Sequence, residues 1–379
     1  MCDVPALRFP EFSGEWNTSS IGEQFELYSG NTPSRMDKKQ FDGTVNWITS
    51  GELKEHYIAD TKEKISDEAV KSNNLKLLSV GTFVIAIYGL EADGVRGTCS
   101  ITASESTISQ ACMAFISKKD IANEFLYAWY KKHGNVIGIR YAQGTKQQNL
   151  SYDIIEKFNI SYPCIEEQKK LIRFISLIDE RIATQNKIIE DLKKLKSAIY
   201  QEMFGSLVAQ TLKLGQVAEV VKGKQVNGTE LLEQGAYYVM NGGTLPSGWL
   251  NKYNTEANTI SISEGGNSCG YVQYNTSPYW SGGHCYSLKI LHPQETSDLY
   301  LYHFLKWQEE NIMALRIGSG LPNIQKKDLL HFPVILPTIT QQNKIVLILS
   351  AIEEKVSCEI SITQYFVKQK EYLLSQLFI

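Results

Sequence analysis

No apolar run in the 379-residue chain approaches the ~18 residues that a membrane-crossing helix requires. The opening Met1-Cys2-Asp3-Val4-Pro5 has no basic region ahead of an apolar core, so no secretory leader is expected. Cysteine is sparse and scattered, at positions 2, 99, 112, 164, 269, 285 and 358, and no two form a C-x-x-C. That odd count argues against a disulfide framework or a structural zinc, and a reducing cytoplasm is the expected compartment. Neither sign of charge dominates: 38 Lys and Arg stand against 41 Asp and Glu, which excludes an overall basic nucleic-acid binder. Local basic loops stay compatible with DNA binding, because the phosphate field is felt over a Debye length, ~8 Å at physiological salt. Apolar residues make up 43% and charged residues 21%, the balance of a globular chain rather than a disordered one. Its length suits two or three domains, at ~150 residues each.

Catalytic motifs are also missing. Gly223-Lys224 is followed by Gln225 and lacks the preceding glycine of a phosphate-binding loop. No G-x-G-x-x-G follows a strand-like run. Ser277-Pro278-Tyr279-Trp280 lacks the leading amide or acid of an amino-methyltransferase tetrad. No H-x-x-x-H or H-E-x-x-H pair is present. His284-Cys285 and His303 are read as structural, since Gln110, Ala111 and Trp129 occupy the matching positions of the first half. No catalytic, cofactor-binding or metal-ligating residue is therefore expected.

What the chain does have is a repeat. Pro163-Cys164-Ile165-Glu166-Glu167-Gln168 meets Pro337-Thr338-Ile339-Thr340-Gln341-Gln342 at an offset of 174. The same offset pairs Ile178-Asp179-Glu180-Arg181-Ile182 with Ile352-Glu353-Glu354-Lys355-Val356, and Met203-Phe204 with Leu377-Phe378. Gly144-Thr145 meets Gly318-Ser319, Asn149-Leu150 meets Asn323-Ile324, and Asn123-Glu124-Phe125 meets Ser297-Asp298-Leu299, so one register is expected from residue 123 to 204. Upstream the offset drifts: Ile21-Gly22-Glu23 resembles Leu214-Gly215-Gln216, and Trp47-Ile48 resembles Tyr238-Val239. The chain reads as a tandem duplication with four parts: 1–160, 161–206, 207–333 and 334–379.

Residues 165–204 place Leu171, Ile175, Ile178, Ile182, Ile189, Leu192, Ile199 and Met203 at alternating spacings of four and three, with Gln185 and Lys196 in the two remaining slots. The second copy carries Ile345, Leu349, Ile352, Val356, Glu359, Thr363, Phe366, Lys370, Leu373 and Leu377. This is a heptad seam, uninterrupted by Pro or Gly, and it predicts an antiparallel coiled coil of two helices each ~60 Å long. Ile188 and Leu195 are apolar off the seam, which predicts a register shift midway.

The segments 1–160 and 207–333 read as mixed α/β. Strands are predicted at 45–48, 82–87, 237–240, 259–263 and 286–290. Helices are predicted near 124–132 and 298–309, capped by Asn123 and Ser297. The fold class is thus α+β: two mixed α/β domains separated by two long helices in a tandem pseudo-repeat. The second domain carries glycine loops at Asn241-Gly242-Gly243, Gly265-Gly266-Asn267 and Ser281-Gly282-Gly283.

This layout resembles the specificity (S) subunit of type I restriction-modification enzymes over essentially the whole chain. The resemblance is carried by Pro5-Ala6-Leu7-Arg8-Phe9-Pro10-Glu11-Phe12-Ser13-Gly14-Glu15-Trp16, by Gly30-Asn31-Thr32-Pro33-Ser34 followed by Trp47-Ile48, and by the joints 163–179 and 337–353. It implies two target recognition domains, each reading half of a split site in double-stranded DNA. It also implies that the helices separate the domains and dock two methyltransferase (modification) subunits, with motor/endonuclease (restriction) subunits joining them. The S chain is then non-catalytic, and S-adenosylmethionine, ATP and magnesium sit on the partner subunits. The chain departs from the pattern where Gly144-Thr145-Lys146-Gln147-Gln148-Asn149 differs from Gly318-Ser319-Gly320-Leu321-Pro322-Asn323.

Polar and basic loop residues are the DNA-binding candidates. In the first domain these are Arg35, Lys38, Lys39, Tyr88, Arg96, Lys146, Gln147, Gln148 and Asn149; in the second, Lys222, Lys224, Asn241, Trp249, Lys252, Arg316, Asn323, Lys326 and Lys327. Asn and Gln gain weight because their amides match adenine in the major groove. The competing reading is a coiled-coil adaptor with two protein-binding domains and no DNA role.

Overall fold

β-Branched and aromatic residues cluster between Gly and Asn turns in both variable segments, and in the computed structural model each segment forms its own sheet. The structure describes residues 4–89, 97–118, 120–141, 148–318, 320 and 322–379. Two units emerge: residues 1–185 with 362–379, and residues 186–361. Among the described residues, no helix is long and apolar enough to cross a membrane.

In the first unit a five-stranded sheet runs in the order Phe25–Ser29, Cys112–Ser117, Phe83–Ala86, Cys99–Thr102, Tyr57–Ile58. The first three joins are antiparallel and the last is parallel. A smaller sheet joins Val45–Ile48 to Lys64–Ile65 and Ser106–Ile108. The helix Asn123–Tyr141 covers the large sheet, burying Phe125, Trp129 and Tyr130 with Phe83 and Phe115.

The second unit repeats this plan. Ala218–Lys222, Cys285–Ile290, Thr259–Ser263 and Val272–Asn275 form an antiparallel sheet, covered by the helix Asp298–Trp307. Trp249–Leu250, Tyr237–Met240 and Trp280–Ser281 form the smaller sheet.

The long helices span Ile165–Gly205 and Ile339–Leu377. Every seam position of both copies is buried or half-buried, while Ile188 and Leu195 point to solvent at 38% and 50% exposure. The predicted midway shift is therefore absent: the seam keeps one phase, and the two off-seam residues lie on the outer surface. The helices pair antiparallel within each unit, through Asp179 and Lys370 in the first and Lys196 and Glu353 in the second.

Buried glutamines fix both helix starts. Gln168 donates through Nε2 to the carbonyls of Asp120 (2.7 Å) and Pro163 (3.0 Å) and accepts from Ala122 N (3.0 Å). Gln342 donates to those of Glu295 and Pro337, both at 2.8 Å, and accepts from Ser297 N (2.8 Å). These equivalences correct the single register: the helices before the joints correspond at offset 175, the joints themselves at 174. The capping expectation also divides. Ser297 caps its helix by accepting from Tyr300 N, whereas Asn123 is the first helical residue and spends its amide on the Gly81 carbonyl. His303 accordingly corresponds to Ala128, not Trp129. The helix predicted to reach 309 ends at Trp307, and a separate turn, Glu309–Met313, follows.

Candidate nucleic-acid interface

The glycine loops of the second unit meet at one end of its large sheet. Gly223 N donates to Cys285 O, and Lys224 N to Ser281 O. Gly282 N donates to Met240 O, and His284 N to the Asn241 side chain (3.2 Å). Gly265 faces Asn323 in an isolated bridge, and Gly266 N reaches Pro322 O. Close approach explains the glycine at 223, where a Cβ would lie 2.1 Å from the Gly282 carbonyl oxygen. The loops carrying Lys222, Lys224, Asn241 and Asn323 are thereby tied into one surface.

Beneath this surface lies a polar network. Lys222 ends its strand directly opposite Tyr286. The carboxylate of Glu264 accepts from Lys222 Nζ at 2.7 Å and from the Tyr286 hydroxyl at 3.0 Å. Burial, with Glu264 next, pushes the Tyr286 pKa far above the ordinary tyrosine range, so this hydroxyl is a fixed donor. The Ile324 carbonyl oxygen lies 3.1 Å from the same hydroxyl and shares its single proton, and Ile324 N donates to Glu264 O, which locks the loop before Lys326 to the sheet.

Strand pairing identifies the matching places in the first unit. Met113 faces Ser29 as Tyr286 faces Lys222. Leu150 N donates to Ile87 O as Ile324 N does to Glu264 O. Tyr88 and Asn149 are strand partners, as Gly265 and Asn323 are. Gly30 stands where Gly223 does, with a would-be Cβ 1.9 Å from Ile108 O. The scaffold is shared, but Lys222, Glu264 and Tyr286 are replaced by Ser29, Ile87 and Met113.

The remaining candidates fall as follows. Arg35 is ion-paired with Glu63, with Nη2 to Oε2 at 2.8 Å, and its guanidinium lies 4.7 Å from the Phe41 ring centre and 5.3 Å from that of Trp47. This pairing raises the arginine pKa and lowers the glutamate's. Lys38 and Lys39 are exposed on the 3-10 turn Lys38–Phe41, which Asp37 caps. These three lie on the segment between Phe25–Ser29 and Val45–Ile48, whereas Tyr88 pairs with Asn149. Gln148 sits on that same short strand, opposite Gly89. Arg96, Lys146 and Gln147 lie outside the described residues. In the second unit Lys252 Nζ sits 5.2 Å above the Trp280 ring, whose Nε1 donates to Lys224 O (2.9 Å), so Trp280 links the two lysines. Trp249 is half-buried edge-on to Tyr238 in the small sheet. Arg316 is exposed beside Ile317, which pairs with Asn323. Lys326 and Lys327 are exposed on the short helix Lys326–Leu330.

Sequence reasoning missed Glu264 and Tyr286. The available signal was a lone acid between the β-run Thr259–Ser263 and the pair Gly265-Gly266.

The type I restriction modification DNA specificity domain family matches residues 13–194 and 209–364. A Mycoplasma pneumoniae protein named as a type I specificity subunit is 37% identical over 144 residues, 38% of each chain. The MjaVIII specificity subunit of Methanocaldococcus jannaschii is 23% identical over 99% of this chain and 94% of its own. The chain spans less than half the length of the curated relatives that it matches at 26–37% identity. Among solved structures, the type I restriction-modification S subunit of M. genitalium superposes with a TM-score of 0.65 at 19% identity, covering 99% of both chains, a likeness of fold.

Proposed function

The chain belongs to the type I restriction modification DNA specificity domain family, and from that membership we propose that it is the DNA sequence-specificity subunit of a type I restriction-modification complex. Each recognition domain reads one half of a bipartite site. The observation that carries this reading is one scaffold built twice, with different side chains at equivalent strand ends: Lys222, Glu264 and Tyr286 against Ser29, Ile87 and Met113. A duplicated reader needs this arrangement, because a few base-edge contacts per domain, ~1–3 kcal/mol for each good bidentate pair, must specify different half-sites. Joining the two domains adds their discrimination without a second association cost.

In this reading the paired helices set the half-site spacing and dock two methyltransferase subunits, since each copy of the repeat offers an equivalent helix. The chain itself is non-catalytic. Binding of S-adenosylmethionine and adenine N6 methylation belong to the modification subunits, and ATP and magnesium to the restriction subunits. The complex works in the cytoplasm.

The test is to express the chain with its neighbouring methyltransferase and map methylated adenines. A split motif with a fixed gap is expected; methylation without a bipartite motif refutes the reading. Duplex binding by the complex falls steeply with added salt if phosphates are contacted, and a salt-insensitive complex favours an adaptor.

A further inference from the structure

We propose that Lys222 reads a guanine in the half-site of the second domain, with Glu264 as its positioning residue; the inference rests on the reading of this chain as a DNA specificity subunit. Lys222 stands at the strand end where the glycine loops converge, with its side chain 54% exposed, whereas that of Glu264 is 11% exposed. One N–H of the ammonium is committed to Glu264 and two remain. Guanine presents two adjacent acceptors, O6 and N7, at its major-groove edge, and a cationic donor pair matches them.

A base contact fits this lysine better than a phosphate contact. The paired carboxylate cancels its charge, which weakens any pull toward the backbone, while leaving its hydrogen-bond direction intact. Tyr286 holds Glu264 from the buried side, so the lysine head is pre-placed rather than free to swing. Lys224, exposed on the neighbouring loop with its carbonyl held by Trp280, is better suited to the phosphates; Lys252 is exposed too, but its ammonium lies 3.7 Å from the Glu230 carboxylate.

The asymmetry between domains carries the specificity. Ser29, Ile87 and Met113 hold the same three places in the first domain, and they provide neither a cation nor a carboxylate. This lysine–carboxylate means of reading a guanine therefore belongs to one half-site only.

The experiment uses the complex with its methyltransferase. Wild-type methylation first defines the bipartite site. The Lys222→Met complex is then assayed on a panel of single-base-pair variants, and the wild-type complex on a site carrying 7-deazaguanine at each guanine in turn. Lys222→Met should lose discrimination at one G·C position of one half-site, roughly 5- to 150-fold, with the other half-site intact. The 7-deazaguanine substitution should weaken the wild-type complex at that same position, and this arm requires no folded variant. Glu264→Gln should reduce the same preference less, and adding it to Lys222→Met should cost nothing further at that position. Equal loss on all sequences assigns Lys222 to a phosphate and overturns the proposal. An unchanged motif, or a half-site without a sensitive guanine, also overturns it while leaving the bipartite reading standing. Absence of any bipartite motif in the wild-type complex defeats that reading instead.

Discussion

Lys370 donates a 2.5 Å hydrogen bond to Asp179 across the helix pair of the first unit. Under the 174-residue offset Lys370 corresponds to Lys196 and Asp179 to Glu353, and Lys196 donates to Glu353, also at 2.5 Å, in the second unit. The two bonds are the same interaction made with the copies exchanged. Both lysines occupy seam slots, where apolar side chains alone would tolerate slippage by a heptad. A polar residue at such a slot specifies register at some cost in stability.

Reversing one member should therefore unsettle the pairing more than it weakens it. Lys370→Asp is expected to destabilise the first unit by about 1–2 kcal/mol, since it sets like charges together at a part-buried site. The exchange Asp179→Lys with Lys370→Asp should recover most of that loss. Thermal melts of the wild type, the two single variants and the double variant measure the coupling, and additive single effects contradict it.

The end of the second long helix completes the core of the first unit. Phe378 is buried 5.2 Å from Phe125, Leu374 and Leu377 join the same cluster, and Trp129 Nε1 donates to Ile379 O. Phe204 makes the corresponding contact with Tyr300 in the second unit, at 5.8 Å. Phe378→Ala should cost about 3–5 kcal/mol. The loss should fall on the first unit, and Phe204→Ala should strike the second. Hydrogen exchange resolved by segment distinguishes them: equal loss of protection in both units contradicts the assignment.

His303 provides a pH dependence. It is fully buried with Nδ1 2.8 Å from the Tyr200 hydroxyl oxygen. Burial lowers its pKa from 6.5 to about 4, against the opposing pull of Glu353. Below the ordinary value the unfolded chain takes up a proton that the folded unit refuses. Its contribution is thus complete above about pH 6.5 and lost as pH falls toward about 4, by about 3 kcal/mol at most. Denaturation midpoints across this range should fall with pH, and His303→Gln should flatten part of the slope. A ring that titrates near 6.5 in the folded chain refutes the argument.

The long helices were legible because a heptad pattern is local and two copies repeat it. Five strands were legible for a similar reason, as at Val45–Ile48 and Thr259–Ser263, where β-branched and aromatic residues cluster within a few positions; others, such as Phe25–Ser29, Cys112–Ser117 and Ala218–Lys222, were not placed. The one-residue slip between the covering helices and the joints was not, because a connection absorbs a residue without disturbing the pattern on either side. Lys222 was legible as a basic residue at a strand end. Its partner Glu264 lies 42 residues away, brought near by sheet order, which the local sequence does not encode.

The proposed ruler role of the helices can be tested by shortening them. Deleting one matched heptad from each, 182–188 and 356–362, keeps the seam in phase. It also leaves both ion pairs able to form, because Lys196 and Glu353 move by the same seven residues relative to Asp179 and Lys370. Each helix loses ~10.5 Å at ~1.5 Å per residue. Duplex DNA rises ~3.4 Å per base pair, so the gap between half-sites should shrink by ~3 base pairs. The half-site sequences should persist, since no loop is touched. Three base pairs also turn one half-site by ~100° about the duplex, taking ~10.5 base pairs per turn. A stiff helix pair that does not follow this rotation loses specific methylation altogether. Methylation mapping of the deletion variant therefore has two outcomes consistent with the ruler, a shortened gap or a silent complex whose fold is verified by melting. Methylation of the original site at its original gap shows that the helices do not set the spacing.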